Sequence, residues 1–193
     1  MLNTKSTETN HLVAALKSSN IGDRKQAEAD LEAMGVNAIK ALIDAMQSDD
    51  QGQAWRAAQL LAKIDDSRPL RYMVRALGSQ HGLVGQVAVK AIIANLSANH
   101  AGLLLTKSLL NSHYTVQVHI VSGLTTLRYY GAIEPLMLLL STTLSEIVQY
   151  ITIDALDFLA ATQAIELIRI FEQSNNYHLQ KRARLALKSL GNL

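Results

Sequence analysis

The sequence predicts an all-α solenoid of about five helical pairs, with a half repeat at each end. Three observations predict it. Four columns of apolar residues recur through all 193 residues at a period of about thirty. Within each repeat the apolar positions fall at i, i+3, i+4 and i+7, the helical period, and period-two alternation is absent. Only two prolines and ten glycines punctuate the chain, too few for many short strands.

The columns place each element. Leu31 marks the first helix of a pair, and its counterparts are Leu61, Ile93, Leu124, Leu156 and Leu187. Met34, Ile64, Leu96, Leu127, Leu159 and Leu190 run in step with it. The second helices carry Leu12, Leu42, Met73, Leu105, Leu136 and Ile168, and then Leu16, Met46, Leu77, Leu109 and Leu140. This last column breaks at Glu172, where Phe171 is the apolar neighbour. The parse is a lone second helix near 7–18 and pairs near 22–48, 52–79, 83–111, 114–142 and 145–174. A lone first helix near 177–190 ends it. Asp23 and Asp50 are the expected N-caps, because a carboxylate there accepts the free N–H groups of the first turn. Pro69 is placed at a helix start and Pro135 within a first turn, where a missing N–H costs little. No stretch has the composition of a linker, so one repeat domain over 1–193 is expected.

Composition narrows the function. Apolar residues make up 49% of the chain, enough for a continuous core, and charged residues only 18%, against a usual level of about 25%. With no cysteine, a disulfide framework, a thiol nucleophile and a thiolate metal site are excluded. The polar start MLNTKSTETN is not a signal peptide. No stretch reaches the roughly 18 apolar residues of a membrane span, so a soluble, cytoplasmic protein is expected. The histidines His11, His81, His100, His113, His119 and His178 include no i, i+3 or i, i+4 pair, the spacing that helical metal sites use. There is no Gly-x-Ser-x-Gly elbow or phosphate-binding glycine loop. No catalytic residue, metal or cofactor is implied.

The phrases DRKQAEADLEAMGVNAIKALIDAM (23–46), VQVHIVSGLTTLRYYGAIEPLMLLL and LQKRARLALKSLG carry a resemblance. The chain resembles HEAT-like repeat proteins, of the short-repeat kind first described in phycobilisome lyases. That resemblance implies a right-handed α-α superhelix with second helices lining a concave side. It also implies a choice of roles: scaffold or adaptor, or bilin-lyase-like or phycobilisome-handling protein. Iron hydroxylases of this kind carry His-Glu motifs, which this chain lacks, and HEAT-like DNA glycosylases use aromatics and an Asp in a basic groove. Gly102 departs from the pattern, standing where Ile or Leu is expected.

Charge is unevenly spread. From Ser67 to Ile133 there is no Asp or Glu, and Arg68, Arg71, Arg75, Lys90, Lys107 and Arg128 give that span +6. Arg68, Arg71 and Arg75, three and four apart, are expected on one helix face. In register Lys40 matches Arg71, and Lys107 matches Arg75. Together these form a basic stripe along the second helices, suited to acidic peptide, carboxylate or phosphate groups; the alternative is an ordinary solvated face. The net charge of +2 and the lack of interleaved aromatics do not favour nucleic acid. Further along, Leu103, Leu138 and Ile170 take the same positions, alternating with Glu134 and Glu166. Exposed, they would make a partner or self-association face; deeper burial is the alternative. The expectation is a non-enzymatic module that binds a protein or peptide.

Overall fold

A computed structural model describes residues 2–191, with side chains from Thr7 onward. The ends of the expected 1–193 array, residues 1, 192 and 193, lie outside the described residues. Among the described residues every regular element is helical. The chain divides into two compact units, Met1–Ile92 and Ile93–Leu193. The division falls within one helix, Gly82–Asn95.

In the first unit, α1 (Leu2–Ala15) is followed by α2 (Ile21–Met34), a 3-10 turn (Gly35–Ala38) and α3 (Ile39–Met46). Then come α4 (Gln51–Lys63), α5 (Leu70–Ala76) and most of α6 (Gly82–Asn95). The first helices α2 and α4 pack side by side, as do the second helices α1 and α3, and α3 closes on α4. The second unit continues with α7 (Ala98–Leu109), α8 (Tyr114–Thr126), α9 (Ile133–Thr142) and α10 (Glu146–Phe158). It ends with α11 (Ile165–Arg169), a 3-10 turn (Ile170–Gln173) and α12 (Tyr177–Leu190). There α8, α10 and α12 form one row, and α7 and α9 lie together on a second. A hairpin buries only one face by itself, so each pair of rows closes its core against the next repeat.

The columns meet in these cores, unequally. Leu42, Met73, Leu105, Leu136 and Ile168 are all essentially inaccessible, as are Leu16, Leu77, Leu109 and Leu140. Truncating one such leucine to alanine costs about 2–5 kcal/mol. The column through Met34, Ile64, Leu96 and Leu127 is only half-buried, and it closes fully at Leu159 and Leu190. A further buried column is announced only weakly, because four of its six members are alanine or threonine: Ala27, Ala57, Val89, Ile120, Thr152 and Ala183. Its small members let the first helices of adjacent repeats approach closely.

The junctions repeat as well. Ser48, Ser79 and Ser174 Oγ, and Thr143 Oγ1, each accept the backbone N–H two residues on. Ser18 does so for Asn20, and Asn20 is the true N-cap of α2, accepting from Gly22 N–H. Asp23 is therefore inside the first turn, where its carboxylate faces the helix's positive end and accepts from Ser18 Oγ. Asp50 caps α4 as expected, accepting from Gln53 N–H at 2.7 Å. Amide side chains from first helices then donate to carbonyls near the ends of preceding second helices. Gln53 reaches Val13 O, Gln117 Leu109 O, Gln149 Thr143 O and Gln180 Glu172 O, at 2.8–3.1 Å. The Leu109, Thr143 and Glu172 carbonyls lie where intrahelical donors run out, so the glutamines satisfy groups that stacking would otherwise strand; Val13 O also accepts from Leu16 N–H.

Gly102 has a local reason. A Cβ there would lie 2.4 Å from the Tyr129 ring. The missing side chain is what lets Tyr129 pack against buried α7 backbone.

Candidate functional site

Second helices need only one stripe for the core, so two register positions per helix are left facing solvent. One position holds Lys40 and Arg71 in the first unit, and Leu103, Glu134 and Glu166 in the second. The other holds Asp44 and Arg75, and then Lys107, Leu138 and Ile170. All ten residues are exposed. Leu103, Leu138 and Ile170 are 45%, 49% and 67% accessible, which settles the alternative of deeper burial.

In the first unit the cations centre on α5. Arg71 and Arg75 share its outer face. The Arg71 guanidinium lies 4.7 Å from the centre of the Tyr72 ring, and its Nη2 donates to Tyr72 Oη at 3.0 Å. Neither Arg71 nor Arg75 forms an ion pair among the described residues. Arg68 is different. It sits in the turn ahead of α5 and off the expected helix face, where Asp66 holds it through two side-chain bonds of 2.9 and 2.8 Å. The Arg68 backbone N–H donates to the same carboxylate. The side-chain bond, then the backbone one, hold the Asp66 carboxyl below its usual range. Arg68 is raised in turn, chiefly by the same side-chain bond. Pro69 bars regular helix ahead of α5 and leaves the Asp66–Arg68 turn intact.

Beside Arg75 a cleft of about 420 Å³ opens between the C-terminal ends of α3 and α5 and the start of α6. Met46, Ala76 and Val84 form its apolar floor, and Tyr72, Arg75, Gln47, Gly78 and Ser79 its walls and rim. No carboxylate lines it. The register did not disclose this cleft. Its one signal was Tyr72, an aromatic at a position held elsewhere by Ala41, Leu104, Pro135 and Leu167.

In the second unit the same face is apolar and acidic by turns. Lys107 is exposed on α7 with no ion pair among the described residues, Glu134 opens α9, and Glu166 pairs with Arg169 at 3.2 Å. Among the described residues there is no group of three or more His, Asp or Glu able to hold a metal. No helix among them is long and apolar enough to cross a membrane.

Two helical rows per unit, a hairpin per repeat and an exposed stripe on the second helices define a helical repeat protein of the armadillo/HEAT type. Solved structures agree. A designed armadillo repeat protein, determined in complex with the peptide (KR)4, is similar with a TM-score of 0.55 and 20% identity, over 95% of this chain and 99% of that one. An engineered protein from a structural genomics consortium gives 0.53 and 21%, over 96% and 99%. The complex of CpcE and CpcF of phycocyanin lyase from Nostoc sp. PCC7120 gives 0.37 and 19%, over 94% of this chain and 64% of that one, too low to bear on function. No family model and no curated protein matches the chain.

Proposed function

We propose that the protein is a non-enzymatic interaction module, a single repeat array that binds a protein or peptide along its second helices. The supporting observation is that both register positions of those helices are exposed in each repeat, while the Leu42–Ile168 column of the same helices is committed to the core. In the first unit Lys40, Arg71 and Arg75 offer charge-assisted hydrogen bonds to acidic groups. Arg68 contributes only on release from Asp66. In the second unit Lys107 adds a cation, and Leu103, Leu138 and Ile170 add apolar contact. Isolated exposed leucines are ordinary on a protein surface; Leu138 and Ile170 at one register position, with Leu103 at the other, fit a partner face better.

The test is charge reversal. Arg71→Glu with Arg75→Glu changes two exposed residues, so the fold should hold and circular dichroism should match the parent. Binding of acidic peptides, read by fluorescence polarisation at low and physiological salt, should fall at least about a hundredfold, the effect of two lost charged contacts. Unchanged affinity would remove the basic face from the account.

A further inference from the structure

The cleft beside Arg75 has features the rest of the exposed face lacks, and we propose that it is an anchor site for one apolar side chain of an acidic partner peptide. This rests on the interaction reading above and specifies which residue types the partner must carry. The peptide's carboxylate pairs with Arg75, and its neighbouring apolar side chain enters the space over Met46, Ala76 and Val84.

Four observations argue for this occupant. The volume, about 420 Å³, exceeds what one large side chain needs and lies at the low end of ligand sites. The floor is apolar and well packed: Val84 is 1% accessible, and Met46 and Ala76 are 7% each. The wall is Tyr72, whose ring is braced by Arg71 through the face and hydroxyl contacts described above. The rim carries Arg75, a guanidinium with no acidic partner among the described residues. A cation beside an apolar floor, with no carboxylate in the lining, selects a ligand that is both acidic and apolar. The nearest acid in register, Asp44 on α3, is exposed and does not line the cleft.

An extended peptide presents residues i and i+2 on one side, about 7 Å apart. An acid at i and a leucine at i+2 therefore meet Arg75 and the floor together. The two demands act as one filter. A purely acidic peptide leaves the floor wet, and a purely apolar one leaves Arg75 unpaired. The other second helices lack the combination. At the Tyr72 and Arg75 positions α3 has Ala41 and Asp44, α7 has Leu104 and Lys107, and α9 has Pro135 and Leu138.

The experiment uses the full chain and three labelled peptides, EDLEDLED, EDSEDSED and QNLQNLQN, read by fluorescence polarisation. The expected order has the leucine-bearing acidic peptide about tenfold tighter than the serine one, the worth of a leucine partly withdrawn from water. The neutral peptide should be weakest. Gln47→Trp places a large ring in the cleft from an exposed position. It should erase the leucine advantage, bringing the leucine and serine peptides to equal affinity. Arg75→Gln should weaken both acidic peptides. Equal affinity for leucine and serine peptides, or a leucine advantage that survives Gln47→Trp, overturns the anchor site. If in that case both acidic peptides still depend on Arg71 and Arg75, the acidic-partner reading survives without the anchor. If no acidic peptide binds the parent protein, both fall together.

Discussion

The two units carry the same repeat and the same net charge, +1 each, yet they show solvent very different surfaces. Among the described residues, Ile21, Val36 and Leu83 are the large apolar side chains exposed in the first unit. The second exposes twelve, including Leu144 at 96% and Ile170 at 67%. On the second helices the first unit offers unpaired cations around Tyr72, and the second offers leucine and isoleucine between glutamates. Total charge cannot account for this; distribution does. The lesson is that the repeat decides which positions meet solvent and leaves their chemistry free to vary. A contact needed in one repeat can change without disturbing the core of the next.

The units also differ in how much stability rests on single side chains, and single substitutions sharpen that contrast. Trp55, the only tryptophan, lies in α4 of the first unit, so its fluorescence reports that unit while far-ultraviolet circular dichroism reports both. The largest effect is expected at Gly102→Leu, which drives a side chain into the Tyr129 ring and costs about 3 kcal/mol of overpacking. The circular dichroism transition should move further than the Trp55 transition. In the first unit Gly52→Ala meets the far end of the Arg56 side chain and, at 3.3 Å, the Asp50 cap oxygen, contacts that a flexible guanidinium can relieve by shifting, so it should cost no more than about 1 kcal/mol.

Next is Arg182→Met. Arg182 on α12 bonds to Asp157 and pairs with Asp154 at 2.8 Å. The Arg182 and Asp157 side chains are only 12% and 14% exposed. Removing the cation leaves a half-buried carboxylate alone and should cost about 2–3 kcal/mol in urea denaturation. By contrast, the Lys63–Glu32 pair of the first unit is exposed on both sides, and Lys63→Met should cost nothing measurable. Gln117→Leu, which strands the Leu109 carbonyl, should cost about 1 kcal/mol.

The smallest effect has the opposite sign. Ala160 and Arg128 adopt positive φ, 53° and 49°, at the register position where Gly35 also does. Ala160→Gly relieves that strain and should stabilise by about 0.5 kcal/mol, after the entropy that glycine adds to the unfolded chain. No gain in melting temperature would show that the turn is unstrained.

The Asp66–Arg68 pair adds a pH handle. Its carboxyl is held low, so its contribution is complete above the unfolded value of about 3.9. It is lost as pH falls through the folded one. Asp66→Asn should remove this acid-side dependence and, by freeing Arg68, tighten acidic-peptide binding slightly.

Much of this was legible beforehand. Leucine and isoleucine columns located the helices from Ile21 onward within a few residues, because large apolar side chains are what a stacked core must repeat; the first helix, expected near 7–18, runs from Leu2 to Ala15. The Ala27–Ala183 column was not, since alanine is indifferent to burial until helices are known to touch. The glutamines and the junction serines were silent for a related reason: a polar residue shows its purpose only when the carbonyl or N–H it serves is in place. Arg68 followed the charge spacing but answered to Asp66, because Pro69 put it in a turn. Gly102 looked like a defect in its repeat until Tyr129 occupied the space.

The central claim is that exposed side chains of the second helices are the binding surface. Carbene footprinting of the free and EDLEDLED-bound protein tests it most directly. The account predicts masking on α5 and the accessible cleft residues Gln47, Tyr72 and Ser79, with the exposed side chains of α2 and α4 labelled equally in both states. Masking on α2 and α4, with α5 unchanged, would contradict it.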